Sequence, residues 1–370
     1  MSQKRAAADP FGAPPGPFAA PPDPSNMTCP APIPERARVL LGHGSGGQLS
    51  AALMRDVIGP ALAASSPGGP LNDAAVVEVA GHRLAFTTDS FVVSPLEFPG
   101  GDIGELAVNG TVNDLAMMGA QPLALSLAYV IEEGLPIEDL RKVTESVARA
   151  ADRAGVRIVT GDTKVVGRGA ADGLFVNTAG IGLVADGVAL GADRASVGDA
   201  VILSGPIGLH GVAVMSIREG LDFEVEIASD TQPLNALVAA ILAVCPEVHV
   251  LRDPTRGGLA SALNEIAAAS GVGIELREET IPIPGPVHAA CEMLGLDPLH
   301  VANEGKLVAI VPAASVEMVL RAMSADPAGA EAAEIGSVVA DHPGMVTMRT
   351  IVGSQRIVDM LVGEQLPRIC

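Results

Sequence analysis

The sequence predicts two consecutive α+β domains, and three observations carry that reading. First, the chain has 370 residues, 48% of them hydrophobic and 18% charged, which is too much apolar material for one core at roughly 150 residues per domain. Second, short strand-type runs alternate with longer segments whose apolar residues recur at steps of three and four. Third, the pattern restarts near Gly198-Asp199, where a new strand opens a second series of helices and strands.

The elements follow in order. Residues 1–35 are rich in Pro and Ala, with prolines from Pro10 to Pro34, and cannot build a core, so a disordered extension is expected there. Ala75–Val79 and Leu84–Thr88 read as strands around a Gly81-His82 turn, and Ile103–Met118 as a helix closed by Gly119. Leu123–Ile131 is a continuous apolar run of strand type. In Pro136–Ala154, Ile137, Leu140, Val143 and Val147 mark one helical face. Pro136 suits its first turn, Glu138 and Asp139 suit its positive end, and Gly155 closes it. Val156–Val159 and Leu174–Val184 complete a first domain over residues 40–190. The second, residues 196–343, has a strand at Ala200–Leu203, helices near 208–219, 234–244 and 257–270, a strand at Lys306–Val311, then a helix and closing strands. Residues 344–370 form a C-terminal segment with a mobile tail.

Composition removes several function classes. With 23 basic and 43 acidic residues the net charge is −20, so phosphate backbones and anionic lipid would be repelled. The chain has no Trp and a single Tyr, Tyr129, which argues against base-stacking platforms. No nucleic-acid or membrane partner is expected, and the cytoplasm is the expected compartment. An acidic chain can still hold a nucleotide through Mg²⁺. Of the four cysteines, Cys245 and Cys291 sit among apolar residues as small core hydrophobes, and no spacing suggests zinc.

Candidate chemistry lies in a few segments. Gly42-His43-Gly44-Ser45-Gly46-Gly47 could wrap a phosphate with backbone N–H groups, although it is neither a Walker A loop nor a dinucleotide fingerprint. Taken alone it reads as a loop before it reads as a phosphate cradle. Asp73, Asp89, Asn113-Asp114 and Gly161-Asp162 place carboxylates where strands or turns end. Each alone suits a turn or cap; together, beside a Gly-rich stretch, they suit oxygen ligation of Mg²⁺ on a nucleotide. The chain has only four lysines, Lys4, Lys142, Lys164 and Lys306, and both Lys164 and Lys306 follow a polar turn. Either reads as a solvated loop residue or as a required point charge. Arg252-Asp253-Pro254-Thr255-Arg256-Gly257-Gly258 opens a helix, as an anion site or as an ordinary capped turn. Finally, the chain stops at Pro367-Arg368-Ile369-Cys370, where an exposed terminal thiol could serve as a carrier or nucleophile.

Together these segments resemble the HypE family of hydrogenase maturation factors. The matching motifs are His43-Gly44-Ser45-Gly46-Gly47, Thr87-Thr88-Asp89-Ser90, Phe98-Pro99-Gly100-Gly101-Asp102, Val112-Asn113-Asp114-Leu115-Ala116-Met117-Met118-Gly119, Gly161-Asp162-Thr163-Lys164-Val165-Val166, Asp253-Pro254-Thr255-Arg256-Gly257-Gly258, Ala302-Asn303-Glu304-Gly305-Lys306 and the terminal Pro-Arg-Ile-Cys. They span about residues 40–370. Several blocks are shared with a wider ATP-binding superfamily that includes aminoimidazole ribonucleotide synthetase, selenophosphate synthetase and thiamine-monophosphate kinase; the terminal motif singles out HypE.

The resemblance implies a two-domain aminoimidazole ribonucleotide synthetase-like fold whose N-terminal domains pair into a β-barrel across a homodimer. It implies an ATP-dependent carbamoyl dehydratase. A carbamoyltransferase, HypF, loads a carboxamide on Cys370; ATP drives its dehydration to S–C≡N; and cyanide passes through a HypC–HypD complex toward the iron of [NiFe]-hydrogenase. By motif position Asp73, Asp89, Asp114 and Asp162 become metal-site candidates for Mg²⁺. Gly44, Gly46, Gly47 and Asn113 join those aspartates as ATP-binding candidates. Cys370 carries the substrate, Glu304 takes the amide proton and Lys164 stabilises developing charge. Two alternatives remain from the residues: another kinase or synthetase of the superfamily, or a non-catalytic thiol carrier that binds ATP as a conformational ligand.

Overall fold

The computed structural model describes residues 38–65, 69–220, 227–363 and 368–370. The extension expected over residues 1–35 lies outside the described residues, as do residues 364–367 of the tail. Leu40 to Cys370 form one compact unit.

The unit opens with a 3₁₀ turn at Leu41–Gly44, then α1 (Gln48–Leu53), a π-helical turn at Met54–Ile58 and α2 (Gly59–Leu62). A five-stranded sheet follows. Its strands are β1 (Ala75–Val79), β2 (His82–Phe91), β5 (Ala120–Glu132), β6 (Arg157–Val166) and β7 (Leu174–Val184), in the order β1-β2-β7-β5-β6. All neighbours are antiparallel except β5 and β6. The small pair β3 (Glu97–Phe98) and β4 (Gly101–Asp102) leads into α3 (Ile103–Met117), and α4 (Ile137–Ala154) joins β5 to β6. Asp102 caps α3 by accepting from the N–H groups of Gly104 and Glu105, and Gly155 in the left-handed region ends α4.

The second series comprises β8 (Asp199–Leu203), α5 (Leu209–Arg218), α6 (Asn235–Val244), β9 (Val250–Arg252), α7 (Gly258–Ser270), β10 (Gly273–Arg277), α8 (Gly285–Leu294), β11 (Val308–Pro312), α9 (Val316–Ser324), β12 (Ala333–Val339), β13 (Val346–Arg349) and β14 (Gln355–Val358). These strands form a seven-stranded sheet in the order β14-β13-β10-β12-β8-β11-β9. The sheet continues past residue 343, so the segment expected as a separate C-terminal piece supplies β13 and β14. Both faces of this sheet are covered, which is why β8 is buried along its whole length. Val201 and Leu203 pack toward α7, and Ile202 packs toward α6 and α9.

Helix α3 ties the two sheets together. It is buried on nearly all sides: Val108, Val112 and Leu115 face the first sheet, while Ala116 and Met117 join the core beneath the second. Within that buried run Asp114 is only half-buried. The hairpin turn is Ala80-Gly81, both at positive φ, one residue earlier than expected, because β2 already begins at His82. The larger departure is β6. It runs on through Gly161-Asp162-Thr163-Lys164, paired with β5 along its length. Asp162 and Lys164 therefore sit within an edge strand and not after a turn. Likewise Asp89 lies inside β2 and Asp114 inside α3.

Candidate active site

Two groups of residues meet where α3, the start of α7 and the end of the chain converge. One is acidic. Carboxylate oxygens of Asp73, Asp114 and Asp253 lie within 4.8 Å of one another. Asp73 precedes β1, Asp114 projects from α3, and Asp253 follows β9. The Thr87 hydroxyl lies 2.7 Å from Asp114 Oδ2 and braces it from β2. Burial first, then repulsion from neighbouring aspartates, pushes the Asp114 and Asp253 carboxyls well above the usual range, while burial, with the charge of Glu265, pushes Asp73 up to about 6 despite Arg252 at 3.1 Å. Three hard oxygen donors that resist ionising together fit a divalent cation such as Mg²⁺, whose charge would relieve the repulsion. Asp89, two residues beyond Thr87 on the same face of β2, borders this cluster; burial raises its carboxyl and Arg256 opposes the shift.

The other group surrounds the chain terminus. Ile369 is 3% exposed and packs with Phe91, Val93, Phe98, Val214 and Ala302. The backbone is held as well: Val92 N–H donates to a Cys370 terminal oxygen at 3.0 Å, and Ser94 N–H to the Arg368 carbonyl at 3.3 Å. Arg218 Nη2 also donates to that carbonyl, at 2.6 Å, and the Arg368 guanidinium pairs with Asp172. His210 Nε2 donates to the Ile369 carbonyl at 2.7 Å, and its Nδ1 meets the Ser229 hydroxyl at 2.8 Å. A carbonyl can only accept, so the Nε2–H tautomer is present, and burial keeps the ring neutral by lowering its pKa. The exposed terminal thiol expected from the sequence is instead half-buried. Burial pushes the Cys370 thiol up, Glu304 and Asp89 add to this, and Arg256 opposes it.

Glu304 is the neighbour that can act on that sulfur. It is 4% exposed, its Oε1 has no hydrogen-bond partner, and burial with the charges of Asp253, Asp89 and Asp230 raises its carboxyl well above normal. Its backbone is set from two sides: its N–H donates to Asp230 Oδ1 at 3.1 Å, and Asn113 Nδ2 donates to its carbonyl at 3.4 Å. Asn113 also donates to the Gln232 carbonyl and accepts from Leu234 N–H. It is 2% exposed and braces the backbone of Glu304 and of residues 232–234.

Of the Gly-rich stretch, Gly46 and Gly47 lie against other backbone. A Cβ on Gly46 would come 2.5 Å from the Arg256 carbonyl oxygen, and one on Gly47 2.3 Å from that of Leu361; around Gly44 there is open space. The stretch thus fastens the N-terminal helices onto the start of α7. It also borders a cavity of about 830 Å³ lined by Met54, Leu71, Arg252, Asn264, Glu265 and Met360, among others.

Lys164 and Asp162 stand apart. Lys164 Nζ is 2.6 Å from Asp162 Oδ2, with both side chains about two-thirds exposed, 66% and 62%. Register gives the reason. Asp89 pairs with Thr178 and so faces the helices, whereas Asp162 pairs with Ala128, and Ala128 with Asn177, on the opposite face. Within this chain the structure therefore does not bring Lys164 or Asp162 to Asp73, Asp114 or Glu304. Asp253 and Arg256 were missed as site residues, although their segment was visible as a helix opening beside two glycines. Lys306 proves to be 7% exposed, with Nζ 3.8 Å from the buried Asp230 carboxylate.

Comparison with known proteins identifies the family and the fold. Residues 71–184 match the family model for the N-terminal domain of AIR synthase related proteins, and residues 196–348 match that for the C-terminal domain. Carbamoyl dehydratase HypE of Azotobacter vinelandii is 55% identical over 328 residues, covering 89% of this chain and 96% of that protein. The chain belongs to the HypE family. A solved HypE structure in complex with ATP is 45% identical with a TM-score of 0.76, covering 90% of this chain and 100% of that one. A HypE–HypF complex gives 48% identity and a TM-score of 0.78, covering 83% of this chain and 100% of the other. This HypE-family chain thus has the two-domain architecture of the AIR synthase related proteins. No helix among its described residues is long and apolar enough to cross a membrane.

Proposed function

We propose that this chain is an ATP-dependent carbamoyl dehydratase that converts a carboxamide on its own Cys370 sulfur to thiocyanate, supplying cyanide for the iron of [NiFe]-hydrogenase. The observation that carries the reading is the seat of Cys370 beside Glu304, with the aspartate cluster adjoining. An amide oxygen leaves poorly until phosphorylated, so the reaction needs a nucleotide, a base and a dry site in one place. Asp73, Asp114 and Asp253 would hold Mg²⁺, bordered by Asp89, and the ion would neutralise phosphate charge. The adjoining cavity behind Arg252 has room for a nucleoside, and the relative solved with ATP supports nucleotide binding as such. Glu304, held by Asp230 and Asn113, takes the amide proton at the carboxamide nitrogen. Ile369, His210 and Arg218 orient the tail and exclude water from the sulfur.

In the seated tail the thiol stays protonated, so carbamoyl loading belongs to a released tail. HypF is the proposed loading partner, supported by the solved complex of relatives, and HypC–HypD the proposed acceptor, with the cytoplasm as compartment. A homodimer completes the reading. The first sheet leaves Val77, Phe86, Ile181 and Leu183 at least 38% exposed, on the face away from α3. Pairing those faces into a barrel would bury them and bring Lys164 and Asp162 toward the partner's nucleotide.

The test is tail mass over time after carbamoyl loading. Wild type gains the carboxamide and, with ATP, loses one water. Glu304→Gln accepts the carboxamide and keeps it, and Cys370→Ala never gains it. An adduct on Cys245 or Cys291, or dehydration at the wild-type rate by Glu304→Gln, would overturn the assignment.

A further inference from the structure

The aspartates account for the metal end of the site and Glu304 for the proton. Neither accounts for the negative charge that gathers on the phosphoryl group in front of the tail. Within its own chain Lys164 is bound to Asp162 on the far face of the sheet and does not reach that charge.

Arg256 is a cation on the tail's side of the site. It sits just before Gly257 and the N-terminus of the 13-residue α7. Its backbone is pinned by the close approach of Gly46. Its side chain is exposed and lines one crevice with Ala302 and Ile369, the residue before the reacting cysteine. Among the described residues the guanidinium makes no hydrogen bond and no ion pair, although its charge is felt by Cys370, Asp89, Glu304 and Asp114. Arg252, four residues earlier, is by contrast tied to Asp73 and Glu265. On the same side, the buried Glu304 Oε1 also has no partner. A planar fork of unengaged donors beside an orphaned carboxyl oxygen, both facing the tail, marks where an incoming polar group is received.

We propose that Arg256 is the catalytic cation of the dehydration, gripping the phosphoryl oxygens as the group passes from ATP to the carboxamide oxygen and then leaves as phosphate. The inference rests on the reading that Cys370 bears the carboxamide. The carboxamide oxygen attacks the terminal phosphorus, and the phosphorus–oxygen bond to ADP breaks with its electron pair going to ADP. The nitrogen gives up both protons, the first to an oxygen of the phosphoryl group, which leaves as hydrogen phosphate, and the second to Glu304, which releases it to solvent. Meanwhile the carbon–oxygen bond breaks with its pair on phosphate and the carbon–nitrogen triple bond forms. The sum is carboxamide plus ATP giving thiocyanate, ADP, hydrogen phosphate and one proton. Arg256 meets the growing charge in both halves.

The experiment uses full-length wild type, Arg256→Ala and Arg256→Lys, each loaded with the carboxamide and followed in a single turnover at saturating ATP by tail mass and ADP release. Arg256→Ala should slow by about 10²–10³-fold, and Arg256→Lys should fall between. Guanidinium ion should restore part of the alanine variant's rate where equal urea does not, a response that a purely structural role would not produce. Wild-type speed in Arg256→Ala, recovery by raising ATP alone, or no response to guanidinium overturns the proposal. If wild type itself never loses water from the loaded tail, the underlying reading fails first, and that outcome is separate from any variant.

Discussion

Ile369 offers the sharpest handle on the tail, because it anchors the terminus without touching the chemistry. Its side chain is 3% exposed, between Phe91, Phe98 and Val214. Ile369→Ala deletes a few buried carbon groups, and at about 0.8 kcal/mol each the seated state loses roughly 2 kcal/mol. At 1.4 kcal/mol per tenfold, the balance between seated and released tails moves by about 30-fold. The two states differ in thiol chemistry. Burial beside Glu304 holds the seated thiol above its ordinary pKa, so thiolate at pH 8 comes from the released tail. The assay is alkylation of Cys370 by iodoacetamide, followed by mass spectrometry, with the buried Cys245 and Cys291 as internal standards. Ile369→Ala should raise the Cys370 rate up to about 30-fold and leave the standards unchanged. An unchanged Cys370 rate would refute the anchoring argument, and equal acceleration at all three cysteines would show general loosening instead.

Other consequences are measurable. Asp114→Asn removes one of the mutually repelling buried carboxylates, so nucleotide-free protein should melt higher, by about 2–4 °C per kcal/mol of repulsion removed, while ATP turnover is lost; a lower melting point with intact turnover would return Asp114 to a structural part. Asp73 is raised to about 6 in the folded chain, so its favourable contribution is complete below its unfolded pKa near 4 and is lost as pH rises through 6. Asp114 and Asp253 shift the same way, so metal-free protein should be more stable at pH 5.5 than at pH 7.5. Saturating Mg²⁺–ATP should shrink that difference, and a gap that widens would contradict the cluster's role. If Lys164 serves the partner's site, mixing Lys164→Ala with Glu304→Gln chains should restore about a quarter of wild-type dehydration through mixed dimers; no recovery after verified subunit exchange would place both residues in one protomer's site or remove Lys164 from it.

The sequence by itself determined much of the local order. The period of three and four in α4, with Pro136 ahead of it and Gly155 after it, places that helix to within a residue. The apolar run of β7 appears at its observed bounds, Leu174–Val184. These features depend on neighbours a few residues away, which a linear pattern contains. Motif resemblance singled out Cys370 and Glu304 for the same reason, as short blocks of fixed type. What only the tertiary structure decided is which carboxylates share a site. Asp89 and Asp162 look alike along the chain, each after a short polar or glycine-rich run, yet strand pairing turns them to opposite faces of one sheet. Asp253 reaches Asp73 and Asp114 only because α3 bridges the two sheets. The raised carboxyls, the seated thiol and the unengaged guanidinium of Arg256 come from burial and from charges distant in sequence. Desolvation and electrostatic repulsion act through space, and separation along the chain does not record them.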